Sequence, residues 1–258
     1  MRRPDEESAS GADVHLTVVI PAYNEATRIR PTLRRIQHYL SGQSRPFEIV
    51  VYLDGCDDAT AEVVADELAV SPSARVLVGS TNRGKGHAVR SAMLKARGRF
   101  VLFTDADLST PIEEVERLLG ALNSGAHVAI GSRALADSRI RVPQSYWRRA
   151  LGRSFNYLVR WLLIPGIQDT QCGFKCFRAG VARRVFSRQR IDGFGFDVEV
   201  LWIAIRLGYR VAEVPITWNN SPLSTVHPIR DAFGMFLSVL AIRWNDWRGR
   251  YEDARQQE

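Results

Sequence analysis

Short apolar runs alternate with amphipathic helical patterns through the first half of the chain, and this alternation constrains the fold more than any other feature. Leu16–Ile20 precedes a helical pattern from about Arg30 to Leu40, Phe47–Leu53 one from about Ala59 to Ala69, and Ala74–Val78 one from Lys85 to Arg97. Phe100–Thr104 follows, then a helix opened by Thr110-Pro111 with Glu113 and Glu114 in its first turn, then the run Ala126–Ile130. Apolar runs of this length read as buried strands. Proline at a first helical position and acids in the first turn are start signals, because proline lacks only an N–H that has no partner there and the helix N-terminus favours negative charge. Strand–helix alternation predicts an α/β fold: a doubly wound, mostly parallel sheet with helices on both faces and ligands at the carboxyl ends of its strands.

The second half is patterned differently. Tyr146 to Leu163 reads as a long amphipathic helix, with Leu151, Phe155, Leu158 and Leu162 on one stripe and Arg149, Arg153, Asn156 and Arg160 on another, ended by Pro165-Gly166. Phe196 to Leu207 reads as a helix. Pro228 to Trp247 reads as a last one, apolar at Ile229, Phe233, Phe236, Leu240, Trp244 and Trp247 and also at Met235, Val239 and Ile242. So wide an apolar surface has to bury against protein or dip into a bilayer interface. The organisation expected is a fraying tail over 1–13, a first half over 14–134, a differently patterned second half over 135–227 and a C-terminal amphipathic helix and tail over 228–258.

Composition narrows the class. The 258 residues are 45% hydrophobic and 24% charged, ordinary for a globular protein with ample core. No apolar stretch reaches the roughly 18 residues of a membrane span, and the first 13 residues have no apolar region of the signal-peptide kind. Three cysteines, an odd number in a long chain, fit a reduced cytosolic setting, and Cys172 and Cys176 read as packed thiols because no second ligand pair accompanies them. A net charge of +7 can serve nucleic acid, anionic lipid or a phosphorylated substrate. No nucleic-acid motif accompanies it, and the arginines gather between Arg133 and Arg190, which favours a local anionic partner and no nucleic acid.

The chemistry concentrates in the loops after successive strands: Pro21-Ala22-Tyr23-Asn24-Glu25, Asp54-Gly55-Cys56-Asp57-Asp58, Asn82-Arg83-Gly84-Lys85-Gly86, and Asp105-Ala106-Asp107. Two carboxylates two residues apart behind a buried strand can converge on one hard divalent cation, Mg²⁺ or Mn²⁺, which keeps its remaining positions for water and phosphate oxygens. The glycine-rich turn with two cations suits a neighbouring diphosphate. Taken singly, each loop also has a purely structural reading. Gly79 to Gly86 comes close to a P-loop, but Gly86 stands where the magnesium-binding hydroxyl belongs, and the first strand–helix turn lacks a dinucleotide fingerprint.

At these residues the chain resembles the family 2 glycosyltransferases, and within them the dolichyl- or polyprenyl-phosphate hexose synthases. The resemblance runs from Leu16 to about Arg243. It is carried by Val19 to Glu25, Asn82 to Gly86, Thr104 to Thr110, Gly131-Ser132-Arg133, Asp169-Thr170-Gln171-Cys172-Gly173-Phe174-Lys175 and Gly195 to Glu199. The Asp-Ala-Asp-Leu-Ser-Thr form is nearer the glucosyl than the mannosyl type, whose glutamine is Ser109 here. Two departures stand out: Leu53 replaces the first of two acids usual before the second-strand glycine, and Ser224-Thr225-Val226 lacks the lysine of a common Ser-Lys-Val.

The resemblance implies the glycosyltransferase A fold and transfer of a hexose, with inversion, from a nucleotide diphosphate sugar (UDP-glucose first) to a polyprenyl or dolichyl phosphate, using Mg²⁺ or Mn²⁺. It implies Pro21, Ala22, Tyr23 and Glu25 at the nucleoside, Asp54 at the base or ribose, Gly84, Lys85, Asp105 and Ala106 at the donor, and Asp107 with Asp105 at the metal. Arg133 is expected at a phosphate, and Asp169 at acceptor activation or orientation, its alternative being a loop acid paired with Lys175. Asp197 and Glu199 could cap a helix or face the site. A phosphomonoester is mostly anionic at neutral pH, its second pKa being about 6, so it needs positioning charge more than a base. Arg139, Arg141, Lys175 and Arg178 are the expected phosphate clamp, and Arg149, Arg153 and Arg160 face either lipid headgroups or solvent. The expected location is peripheral, on the cytoplasmic membrane face, with a homo-oligomer or a membrane-anchoring partner possible. Competing readings are the same fold acting on a soluble acceptor and a catalytically silent nucleotide-sugar-binding protein.

Overall fold

The computed structural model describes residues 14–69, 71–142, 159, 162–219 and 228–252. Its centre is a seven-stranded sheet in the order β3-β2-β1-β4-β7-β5-β8, where β1 is Leu16–Ala22, β2 Phe47–Asp54, β3 Ala74–Gly79, β4 Phe100–Thr104, β5 Val128–Ser132, β7 Phe174–Arg178 and β8 Val211–Pro215. A small ribbon pairs β6 (Arg139–Val142) with β9 (Thr217–Asn219). The helices are α1 (Ile29–Ser41), α2 (Thr60–Leu68), α3 (Lys85–Met93), α4 (Val115–Asn123), α5 (Ala179–Arg188), α6 (Phe196–Arg206) and α7 (Pro228–Trp247). This is the α/β architecture that the alternation predicts. Strands from both sides of residue 134 share one sheet.

Burial explains the strand assignments. Every residue of β1, β4 and β5 is buried, as expected of central strands covered on both faces. At the edge, β3 leaves Val76 and Val78 exposed. Alternate side chains feed two cores. Val18, Ile20, Ile49, Val51 and Leu102 pack with α1, α2 and α4 on one face, while Val19, Val50, Val101 and Phe103 pack with α3, α5, α6 and α7 on the other.

Three expectations need correction or a boundary. Helix α3 stops at Met93 instead of Arg97, because Gly98 must approach β1: its N–H donates to Thr17 Oγ1 at 2.8 Å, and a β-carbon there would stand 2.5 Å from Thr17 N. Strands β6, β7, β8 and β9 and helix α5 lie where no element was expected. The proposed Tyr146–Leu163 helix, with Arg149, Arg153 and Arg160, falls largely outside the described residues, as do residues 1–13 and Ser224-Thr225-Val226. Among the described residues, no helix is long and apolar enough to cross a membrane.

Strand β7 matters most for the site. It runs antiparallel to both neighbours, with Phe174 opposite Thr104 and Arg178 opposite Phe100. Its first residue therefore sits at the carboxyl edge of the parallel strands, and its last at the opposite edge.

Candidate active site

The carboxyl edge gathers the ends of β1, β2, β3, β4, β5 and β8 and the start of β7. Its loops are tied together by polar contacts. Asn24, in the left-handed region at φ 54°, donates Nδ2 to Asp57 Oδ1 at 2.5 Å and accepts from Asp57 N at 3.1 Å. Glu25 N donates to Thr60 Oγ1 at 2.7 Å, and Ala26 N to Asp58 Oδ2 at 3.3 Å. Asp57 and Asp58 thus join the β1 and β2 loops.

Asp54 is buried and accepts from Gly84 N at 2.8 Å and from Arg83 N at 3.2 Å. Its carboxylate thereby organises the glycine-rich turn. Gly84 has φ 107°, a conformation that side chains avoid, and a β-carbon there would meet Asp192 O at 2.6 Å. The turn is held from its other side too, by Asp192 bonded to Arg83 at 3.1 Å and by Gln189 Nε2 donating to Gly86 O at 2.9 Å.

Lys85, first residue of α3, places Nζ 2.6 Å from Asp105 Oδ1. Burial would lower the pKa of the Lys85 ammonium, but Asp105, Asp197 and Asp107 outweigh it and hold that pKa above the usual lysine value. Behind Asp105 the chain turns sharply. Leu108 N donates to Asp105 O, Ser109 N to Asp107 Oδ1 at 3.0 Å, and Leu108 itself takes φ 46°, unusual for a branched apolar residue. Thr32 of α1 fixes the turn by donating to Ala106 O at 2.7 Å. Pro21, Ala22 and Ala106 are buried beneath this edge and Tyr23 is exposed on it. Burial raises the Glu25 pKa; Arg28, paired with it at 2.7 Å, opposes the rise, and Asp107 and Asp105 nearby add to it.

Asp105 and Asp107 are hard oxygen donors on one turn. Among the described residues, no group of three His, Cys, Asp or Glu side chains could cage an ion unaided. The pair therefore suits a cation that completes its shell with water and diphosphate oxygens, as Mg²⁺ does.

A second polar cluster at this edge is built on Arg133 and Asp169. Arg133 Nε and Nη2 reach the two Asp169 oxygens at 2.7 and 2.8 Å, Arg133 N adds a third bond at 3.0 Å, and the guanidinium lies 5.5 Å from the Trp218 ring. Burial would raise the Asp169 pKa, but Arg133 holds it below the usual aspartate range. Glu213 of β8 positions the segment by accepting from Asp169 N at 2.8 Å and Gln168 N at 2.9 Å. Asp169 is thus an anionic partner of Arg133, and its alternative pairing with Lys175 does not occur.

Two members of the expected phosphate clamp are corrected. Lys175 is fully buried; its Nζ donates to Cys172 O at 2.6 Å and to Asp197 of α6. Arg178 lies at the opposite edge of the sheet, where it donates to Ala126 O and Leu122 O. The antiparallel direction of β7 causes both outcomes. Arg139 and Arg141 are exposed on β6, which leaves the edge beside Ser132, with Arg139 N bonded to Ile216 O at 3.0 Å. Asn219 N at the end of β9 donates to Ser109 O at 2.8 Å, so the ribbon bridges the Arg133 side and the Asp107 turn.

Sequence reasoning missed Glu213, Trp218 and the structural part of Gly173. A β-carbon on Gly173 would fall 2.1 Å from Asp105 Oδ2, so the 168–173 loop backs directly onto the Asp105 turn. Asp197 and Glu199 both lie inside the protein. Glu199 accepts from Ile191 N at 2.8 Å, Arg190 N at 3.0 Å and Tyr251 Oη at 2.8 Å.

The sequence profile of Glycosyl transferase family 2 matches residues 17–186. A dolichyl-phosphate beta-glucosyltransferase of Dictyostelium discoideum is 34% identical over 90% of this chain and 75% of its own. One from Homo sapiens is 34% identical over 88% of this chain and 74% of its own. Among solved structures, a glucosyl-3-phosphoglycerate synthase from Mycobacterium tuberculosis, in complex with Mn²⁺, UDP and phosphoglyceric acid, superposes with a TM-score of 0.61 at 20% identity. It covers 93% of this chain and 80% of its own. That likeness speaks for the fold, which is the glycosyltransferase A fold expected above.

Proposed function

The chain belongs to glycosyl transferase family 2, and on that footing we propose that it transfers glucose from UDP-glucose to a dolichyl or other polyprenyl phosphate at a membrane surface. The observation that carries the reading is the meeting of Asp105 and Asp107 with the Gly84-Lys85 turn at the carboxyl edge of the sheet. The names of the relatives support the sugar and the lipid phosphate, and the UDP complex of the structural neighbour supports the donor.

In this reading, the edge formed by Pro21, Ala22, Tyr23 and Glu25 receives the nucleoside. Asp54 orients Gly84 and Lys85 toward the diphosphate, where Lys85 exchanges its contact with Asp105 for a phosphate oxygen. Asp107 and Asp105 fit a divalent cation, and Mg²⁺ or Mn²⁺ held there supplies positive charge against the departing diphosphate. Arg133, kept charged by Asp169, and the exposed Arg139 and Arg141 present the acceptor phosphate. That group is already anionic, so its oxygen attacks the anomeric carbon with no proton to remove. A β-glucosyl product from an α-linked nucleotide sugar requires attack from the face opposite the diphosphate, hence inversion.

The test is transfer by the purified chain from UDP-glucose to a short, water-soluble prenyl phosphate with Mg²⁺ or Mn²⁺, read by mass spectrometry, with GDP-mannose and 3-phosphoglycerate as competing arms. Glucosyl prenyl phosphate formed only with divalent metal is the expected result. Transfer to 3-phosphoglycerate alone would replace the lipid acceptor with a soluble one, and undiminished turnover by Asp107→Ala would remove the metal role.

A further inference from the structure

Helix α7 has two unlike faces. Val239 and Ile242 are buried in the core, and Asn245 is buried with Tyr251, which donates to Glu199 of α6. At about 100° per residue, Leu237, Leu240, Trp244 and Trp247 fall on the opposite side. They are 49%, 48%, 50% and 77% exposed, and the two tryptophan rings stack at 5.2 Å. Arg243 and Arg248 lie on the two flanks of this stripe, Arg243 on the ring of Trp202 at 5.8 Å and Arg248 over Trp244 at 4.3 Å. Asp246 is paired with Arg206 at 3.0 Å, so positive charge dominates the rim.

The opposite, packed face of α7 reaches the 168–173 loop of the site. Met235, one residue before the exposed Phe236, accepts a contact from the Gln171 side-chain amide, and Gln171 lies between Asp169 and Gly173. Ser238 sits where any β-carbon on Gly195 would stand, 2.3 Å from Ser238 Cβ, so α7 is seated directly against the start of α6. An apolar stripe of tryptophan and leucine edged by arginines is complementary to acyl chains below and anionic headgroups at its sides. The helix is not apolar enough to span a membrane, so it would lie in the interface plane.

We propose that the Leu237, Leu240, Trp244 and Trp247 stripe of α7, flanked by Arg243 and Arg248, is a docking surface for an anionic lipid bilayer. The proposal rests on the lipid-phosphate reading above for its purpose: docking here lets an acceptor phosphate reach residues 168–173 while its chain stays in the bilayer.

Co-sedimentation of the full chain with vesicles of phosphatidylcholine, with and without phosphatidylserine, tests this without any sugar chemistry. Binding should favour the anionic vesicles and weaken with salt, and Leu240→Gln combined with Trp247→Gln should weaken it about tenfold. The same variant should transfer glucose to a short soluble prenyl phosphate at the wild-type rate and lose transfer to a long-chain acceptor in vesicles. Wild-type vesicle binding by the variant would overturn the proposal. So would a wild-type dimer in vesicle-free solution that the variant converts to monomer, because the stripe would then serve a second copy. If the wild-type chain glucosylates no prenyl phosphate yet binds anionic vesicles through this stripe, the reaction is wrong and the docking surface stands.

Discussion

The backbone of Gly173 lies against the carboxylate of Asp105, so close that a β-carbon on Gly173 would stand 2.1 Å from Asp105 Oδ2. The turn after β4 and the loop before β7 are therefore one packed unit, although Gly173 follows Asp105 by 68 positions in sequence. Gly173→Ala should push Asp105 off its contact with Lys85. Because misplacing a reacting group by about an ångström can cost about a hundredfold in rate, kcat/KM for the nucleotide sugar should fall by that order while far-ultraviolet circular dichroism is unchanged. Wild-type kcat/KM in the alanine variant would show that the contact is slack.

Arg133 and Asp169 are coupled to pH in a definite direction. Burial raises the Asp169 pKa, Arg133 lowers it, and the net folded value lies below the ordinary aspartate value of 3.8. The folded state therefore binds fewer protons here than the unfolded one. The stabilisation is present above the unfolded pKa and is lost as pH falls through the folded value, below about pH 4. Urea midpoints measured down through that range should drop in the wild type and drop less steeply in Asp169→Asn. At neutral pH, Arg133→Met should cost about 3–5 kcal/mol, because it strands a buried carboxylate.

Lys175 provides a test of structure against ligand contact. Its ammonium is buried with Asp197 and Cys172 O, so Lys175→Met should lower stability by about 3–5 kcal/mol in denaturant titration, the cost of breaking a buried pair. Removing both charges with Lys175→Met and Asp197→Leu should recover most of that loss. A rise in acceptor KM with unchanged stability would instead return Lys175 to the phosphate.

The thiols should separate by burial. Burial pushes the Cys172 thiol up to about 12, with Asp169 adding to it, and raises Cys176 as well, whereas Cys56 is half-buried near the loop surface. Limited treatment of the native protein with iodoacetamide should mark Cys56 first, and Cys172 and Cys176 only in denaturant. Early labelling of Cys172 would mean that the 168–173 loop opens.

Particular residues show what was legible in the sequence and what was not. Phe100–Thr104 and the start of α6 at Phe196 are expected and observed at the same residues, since an unbroken apolar run and a clear helical pattern are local signals. Strand β7 was hidden because Lys175 interrupts its apolar run, and a lysine inside a strand becomes intelligible only once Asp197, 22 residues later, is beside it. Arg178 illustrates the same limit: in sequence it follows the acceptor loop, and in space it stands at the far edge.

By itself, the sequence determined the α/β class, the positions of the early strands and the loops bearing Glu25, Asp54, Lys85 and Asp105, because periodicity and strand–helix alternation act over a few residues at a time. Only the tertiary structure decided which charges meet. The antiparallel insertion of β7 between β4 and β5 sets Gly173 against Asp105 and sends Lys175 inward and Arg178 away, while the ribbon of β6 and β9 keeps Arg139 and Arg141 at the edge. Strand direction and sheet order depend on contacts between distant segments, and no local pattern encodes them.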